Sequence, residues 1–304
     1  MSSTAQSRAS NRFIDPTVLT KIQNLELLAR TVVEGFVQGL HKSPFLGFSV
    51  DFAEYRQYQP GDEIRRIDWN VYARMDRLFV KLFEGETNTH VHFLMDCSGS
   101  MGYGSGPVSK MDYAKFLTAS LIYFAYHQRD GVGLVTFDQA VTAHIPAGRR
   151  NGQLFSLLTH IDRAEASQIT EFRKPLEYMT EFLKRRGMVV LVSDFYDEVE
   201  NIISSVRHLR SKGNDVIVFQ VLDDFELNFP FDTMTEFEDL ETEKKLNVIP
   251  QYLRKEYLQL IQGHIDALEK EFASIGVDYT LMNSSQPLDV GLFRYLARRA
   301  KTKG

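Results

Sequence analysis

Cysteine is nearly absent: Cys97 stands alone in 304 residues. A single thiol excludes an intramolecular disulfide, a CxxC redox pair and any Cys/His zinc set, and it fits a reducing compartment. Long apolar runs are also missing. The most apolar stretch, residues 116–126, falls far short of the ~20 residues that a membrane-spanning helix needs. Residues 1–11 are Ser-rich and polar, without the apolar core of a secretory signal. Positive charge is not in excess, since 35 Lys and Arg stand against 40 Asp and Glu for a formal charge of −5. That balance argues against a binder driven by phosphate neutralisation. No Gly-Lys-Ser/Thr triplet occurs, so there is no phosphate-cradling loop. These absences predict a soluble, cytoplasmic protein with no membrane span and no nucleic-acid partner.

The remaining composition, 43% apolar and 25% charged, is that of a globular chain long enough to bury a substantial core. Residues 1–15 read as a flexible tail. Residues 16–40 carry apolar side chains at helical spacing, with Pro16 suited to a first turn. Alternation at Phe48, Val50 and Phe52 and the Pro60-Gly61-Asp62 turn predict a β-rich subdomain, so residues 16–88 form a helix-plus-β unit. From residue 89 to 304 the pattern alternates strand and helix. Apolar strands are predicted at 91–95, 131–137, 188–193, 215–222 and 277–282, with an edge strand at 141–145. Helices are predicted at 109–128, 153–161, 172–185, 199–211, 250–274 and 289–301. Ser109 and Asp112 stand at capping-box spacing. This is the pattern of an α/β, doubly wound, mostly parallel sheet, in which sites form at the carboxyl ends of the strands.

The sharpest local signal is Asp96-Cys97-Ser98-Gly99-Ser100, where an apolar strand ends. A carboxylate and two hydroxyls spaced two apart form a set of hard oxygen donors suited to Mg²⁺ or Mn²⁺. Gly99 lets the loop bend. Thr170 could add a hydroxyl, and Asp194, ending another apolar strand on the same sheet edge, could hold a metal-bound water. So few acids would leave the ion with net positive charge and an open position, favouring an incoming Asp or Glu carboxylate from a partner.

The Asp-x-Ser-x-Ser set with a later Thr and a later Asp resembles the metal-ion-dependent adhesion site of von Willebrand factor A domains. The resemblance implies that Ser98, Ser100 and Thr170 bind the metal directly, and Asp96 and Asp194 directly or through water. It departs from the family at Gln168-Ile169, where a Gly-Gly pair is usual. Upstream, Glu34-Gly35, His41-Lys42-Ser43, Phe52 to Tyr58, Pro60-Gly61-Asp62, Arg65-Arg66-Ile67-Asp68-Trp69, Val80-Lys81 and Phe83 to Asn88 are similar to the bacterial Domain of Unknown Function 58 family. In that family such a segment precedes a von Willebrand A-like domain. The resemblance implies a non-enzymatic protein-binding module working with a MoxR-type AAA+ ATPase in protein assembly or activation.

Other readings attach to the same residues. Ser98-Gly99-Ser100-Met101-Gly102 is close to a hydrolase nucleophile elbow with Ser100 as nucleophile, but the only histidines beyond Asp194 are His208 and His264, both in predicted helices. A phosphatase with Asp96 as nucleophile wants a second Asp where Ser98 stands. A structural scaffold with a vestigial metal site is the remaining alternative. Cys97 reads as a buried residue beside the site, and His90 and His92 as a polar strand start. Arg56, Arg65, Arg66, Asp68, Arg74 and Lys81 read as a salt-bridged network. The nine acids of residues 223–243 read either as an interaction loop or as a solvated insertion.

Overall fold

The computed structural model describes residues 16–20, 24–41, 55–57, 79–81, 90–167, 173–183, 186–238, 240 and 245–292. Thr170, the residue 1–15 tail, the Pro60 turn, most of the Arg56–Lys81 network and the 293–301 part of the predicted closing helix lie outside them. The chain divides into two compact units, residues 37–88 and the rest. Within the smaller, β1 (Tyr55–Gln57) and β2 (Phe79–Lys81) pair antiparallel.

The single helix expected over 16–40 is instead two, α1 (Pro16–Leu19) and α2 (Leu25–His41). The reason lies in Asn24, whose side-chain oxygen accepts from the backbone N–H groups of Glu26 and Leu27 at 2.9 and 3.0 Å. This satisfies donors that a new first turn leaves open.

The larger unit is built on a six-stranded sheet. Its strands are β3 (His90–Asp96), β4 (Gly131–Phe137), β5 (Val141–Gly148), β6 (Met188–Ser193), β7 (Asp215–Leu222) and β10 (Asp278–Asn283), in the order β5-β4-β3-β6-β7-β10. All neighbours are parallel except β5, which pairs antiparallel with β4 at one edge. The connecting helices are α3 (Lys110–His127), α4 (Gln153–Arg163), α5 (Arg173–Phe182), α6 (Val199–Ser211) and α8 (Pro250–Ser274). Between β7 and α8 come α7 (Asp224–Asn228) and the hairpin of β8 (Thr235–Glu238) and β9 (Lys245–Val248). The α/β, mostly parallel, doubly wound reading therefore holds.

Parallel strands covered on both faces must be apolar throughout, and every residue of β4 is buried. Helix α3 crosses β3, β4, β6 and β7 on one face. On the other, Leu176 and Met179 of α5, Ile202, Val206 and Leu209 of α6 and Leu268 and Phe272 of α8 form one cluster with Leu94, Leu191 and Val218 of the sheet. The capping box is present, with Ser109 Oγ accepting from the Asp112 N–H and the Asp112 carboxylate accepting from the Ser109 N–H.

Gly133 lies where the β4–β5 register shifts. A Cβ there would stand 2.7 Å from Ala147 N and 2.8 Å from Ile145 O, backbone atoms that cannot swing aside. Gly133→Ala is expected to destabilise the fold by about 1–3 kcal/mol, the usual cost of overpacking. A urea midpoint unchanged from wild type would refute the close approach of these strands.

Candidate functional site at the sheet switch point

Numbered within the sheet, the strand order is 3-2-1-4-5-6, which reverses direction between β3 and β6. Doubly wound sheets open a crevice at that reversal, outside the carboxyl ends of the strands. Asp96 ends β3, and Asp194 directly follows β6. Four adjacent parallel strands share this habit: Asp96, Asp138, Asp194 and Asp223 stand at the ends of β3, β4, β6 and β7.

Their surroundings separate them. Asp138 accepts from the Ala140 N–H at 3.0 Å and the Ser167 hydroxyl at 2.9 Å. Asp223 caps α7 and accepts from the Ser105 N–H and the Ser284 hydroxyl at 3.1 and 3.0 Å. Asp96 is fully buried; its oxygens accept from the Ser98 N–H at 2.9 Å and the Ser193 hydroxyl at 2.5 Å. Burial, then the nearby Asp194 charge, push its carboxyl up to about 7 against the pull of these hydrogen bonds.

The loop after Asp96 is pinned on both sides. The Cys97 N–H donates to Phe137 O and the Ser167 N–H donates to Cys97 O, each at 2.7 Å. A short 3₁₀ turn, Gly99–Gly102, follows, with Met101 buried as its anchor. It brings Ser98 Oγ and Ser100 Oγ to 3.1 Å from each other. Gly102 runs close under the 167 loop, where a Cβ would meet Ala166 Cβ at 3.3 Å. Thus Asp96, Ser98 and Ser100 occupy one loop, and Ser193 ties that loop to the strand end bearing Asp194. Cys97 is a buried free thiol pushed up to about 12, by burial first and the Asp96 charge second.

Asp194 is itself engaged. Lys110 Nζ, with no exposed side-chain surface, donates to Asp194 Oδ2 at 2.9 Å and to Glu226 Oε1 at 2.7 Å. Burial works to lower the Lys110 pKa, but the two carboxylates outweigh it and hold the ammonium charged. The Tyr196 ring lies 4.7 Å beneath that charge, a cation–π contact. Lys110, Glu226 and Ser193 escaped the sequence reading. A polar residue ending the otherwise apolar 188–193 strand was a usable signal for Ser193; Lys110, first residue of an ordinary helix, offered none.

Among the described residues no three His, Cys, Asp or Glu side chains gather as a metal-binding group. A cation placed here would rest on one carboxylate and hydroxyls, a hard oxygen set compatible with Mg²⁺ or Mn²⁺ and not with zinc. Of the two histidines beyond Asp194, His264 places its Nε2 3.0 Å from Phe195 O. Among the described residues no helix is long and apolar enough to cross a membrane.

A doubly wound α/β domain with an oxygen-rich switch point is the class that the fold and site define. The family model described as protein of unknown function DUF58 matches residues 54–266, more than half of the chain, and the chain belongs to that family. It is similar to the uncharacterized protein Rv1480 of Mycobacterium tuberculosis, 22% identical over 292 residues that cover 94% of this chain and 91% of that protein. Among solved structures it is similar to the conserved hypothetical protein BatB from Bacteroides thetaiotaomicron, with 16% identity, a TM-score of 0.46, and coverage of 70% of this chain and 99% of that one. It is also similar to the SpRpn10 VWA domain, at 13% identity and a TM-score of 0.42, covering 68% and 94% respectively. These likenesses are too weak to add to what the strand order itself states.

Proposed function

We propose that the chain is a non-enzymatic, cytoplasmic protein-binding module whose switch-point loop holds a divalent cation and through it a carboxylate of a protein partner. The observation that carries this reading is the pairing of Ser98 and Ser100 hydroxyls beside the buried Asp96 carboxyl. Asp96, Ser98 and Ser100 would hold Mg²⁺ or Mn²⁺, with Thr170 adding a hydroxyl and Asp194 acting through water while Lys110 keeps one of its oxygens. When bound, the ion supplies a positively charged acceptor for an Asp or Glu side chain. The protein's own part is to keep the loop rigid through Cys97 and Ser167, and to keep a costly buried carboxyl poised for a cation. The family resemblance adds a MoxR-type AAA+ ATPase as the working partner.

Calorimetric titration with MgCl₂ and MnCl₂ tests the cation. Wild type is expected to bind with measurable heat, Ser98→Ala more weakly, and Asp96→Ala not at all. Absence of heat with both metals in wild type sinks the reading.

One observation favours a second reading, a structural scaffold with a vestigial site: Lys110 already neutralises Asp194. On that reading the ammonium has replaced the ion, and titration is silent.

A further inference from the structure

Beside the switch point lies a cavity of about 470 Å³ between α7, the β8–β9 hairpin and α8. We propose that it is a docking pocket for a partner segment that presents a bulky apolar side chain flanked by Lys or Arg. The pocket is built of aromatic rings: Phe229 lies 4.6 Å from Tyr257 and is stacked on Phe237 at 5.7 Å. Phe231 meets both phenylalanines edge-on, at 5.1 and 5.0 Å. Phe229 takes a left-handed φ of 46° where α7 ends, a costly conformation for a bulky residue, held by this packing.

An apolar surface of this kind is left open. Seven of the eleven exposed large apolar side chains among the described residues fall between Met234 and Leu260. Leu246 and Leu260, both pocket-lining, are 64% and 68% exposed. Leu246, Leu253 and Leu260 of those seven line this one cavity, and apolar area concentrated in one place marks an interaction site, whereas scattered residues do not.

Charge selects the occupant. The lining holds two carboxylates, Glu226 and Glu256, and no basic side chain. Glu226 is committed to Lys110 and to the Asp223 N–H, whereas Glu256 is exposed at the rim. Of the described acids nearby, Asp232 is paired with Arg254, and Glu236 and Glu238 with Lys245, so Glu256 sets the sign of the rim. An apolar anchor with basic neighbours matches this surface, and one with acidic neighbours is repelled.

The pocket also continues the switch-point site. Tyr103 lines it and follows directly on the Gly99–Gly102 turn, its N–H donating to Ser100 O at 3.1 Å. Glu226 is both a pocket wall and a partner of the lysine that holds Asp194. The proposal does not depend on a metal, so its test is run in EDTA.

Fluorescein-labelled peptides with a Leu-Phe-Leu centre and Lys flanks are titrated against the full chain by fluorescence anisotropy. Controls carry Glu flanks around the same centre, or Lys flanks around a Ser centre. The Lys-flanked apolar peptide is expected to bind about tenfold or more tighter than either control, a difference of about 1.4 kcal/mol. Leu260→Asp, at an exposed position that leaves the fold intact, is expected to abolish that advantage. Glu256→Lys is expected to move the preference toward Glu flanks. Equal affinity for the two flanks or the two centres, or full binding by Leu260→Asp, overturns the proposal.

Discussion

Lys110→Met is expected to cost about 3–5 kcal/mol of folding stability, as removing one partner of a buried ion pair does. The lysine is fully buried, and its two partners, Asp194 and Glu226, are 1% and 13% exposed at their side chains. Deleting the ammonium leaves one buried and one mostly buried carboxylate without their shared cation. Urea unfolding measures the loss directly. The triple variant Lys110→Met/Asp194→Asn/Glu226→Gln removes the charges together and is expected to recover most of it, because uncharged polar groups no longer require a cation. A loss below about 1 kcal/mol in the single variant would mean that the triad behaves like a solvated surface pair.

Acidification is the second large effect, and it runs through His92. Burial first, then the neighbouring His90 and His144, lower its pKa to about 4 from the ordinary 6.5. The folded protein therefore keeps this imidazole neutral at pH values where the unfolded chain binds a proton. The stability is fully present above pH 6.5 and is lost as pH falls from 6.5 through 4, because there the unfolded state holds more protons. The full shift corresponds to about 3 kcal/mol. His92→Gln, which cannot titrate, is expected to flatten the fall in unfolding free energy between pH 6.5 and 4. Parallel pH profiles for variant and wild type would remove His92 from the account.

Both effects rest on side chains whose importance is invisible in isolation. The strands could be read because a parallel strand buried on both faces is apolar along most of its length, and 188–192 and 216–219 show it. Helix 250–274 could be read to its observed limits, Pro250–Ser274, because proline suits a first turn. The Asp-x-Ser-x-Ser loop was equally plain, since its three oxygens lie within five residues and need only one turn to converge. The acidic stretch was less transparent. Asp223 proves to be a buried cap, and Asp224–Asn228, Thr235–Glu238 and Lys245–Val248 form α7, β8 and β9, which wall the pocket.

Local spacing by itself determined the alternation of strands and helices, the carboxyl-end position of Asp96 and Asp194, and the oxygen character of the loop, since each follows from contacts between residues near in sequence. Tertiary structure alone decided that Lys110 reaches across 84 residues to Asp194 and 116 to Glu226, and that Ser193 ties β6 to Asp96. It also decided that an aromatic pocket opens beside them. Pairings of that separation arise from how helices pack on a sheet, and a solvent-facing lysine and a buried one carry the same letter.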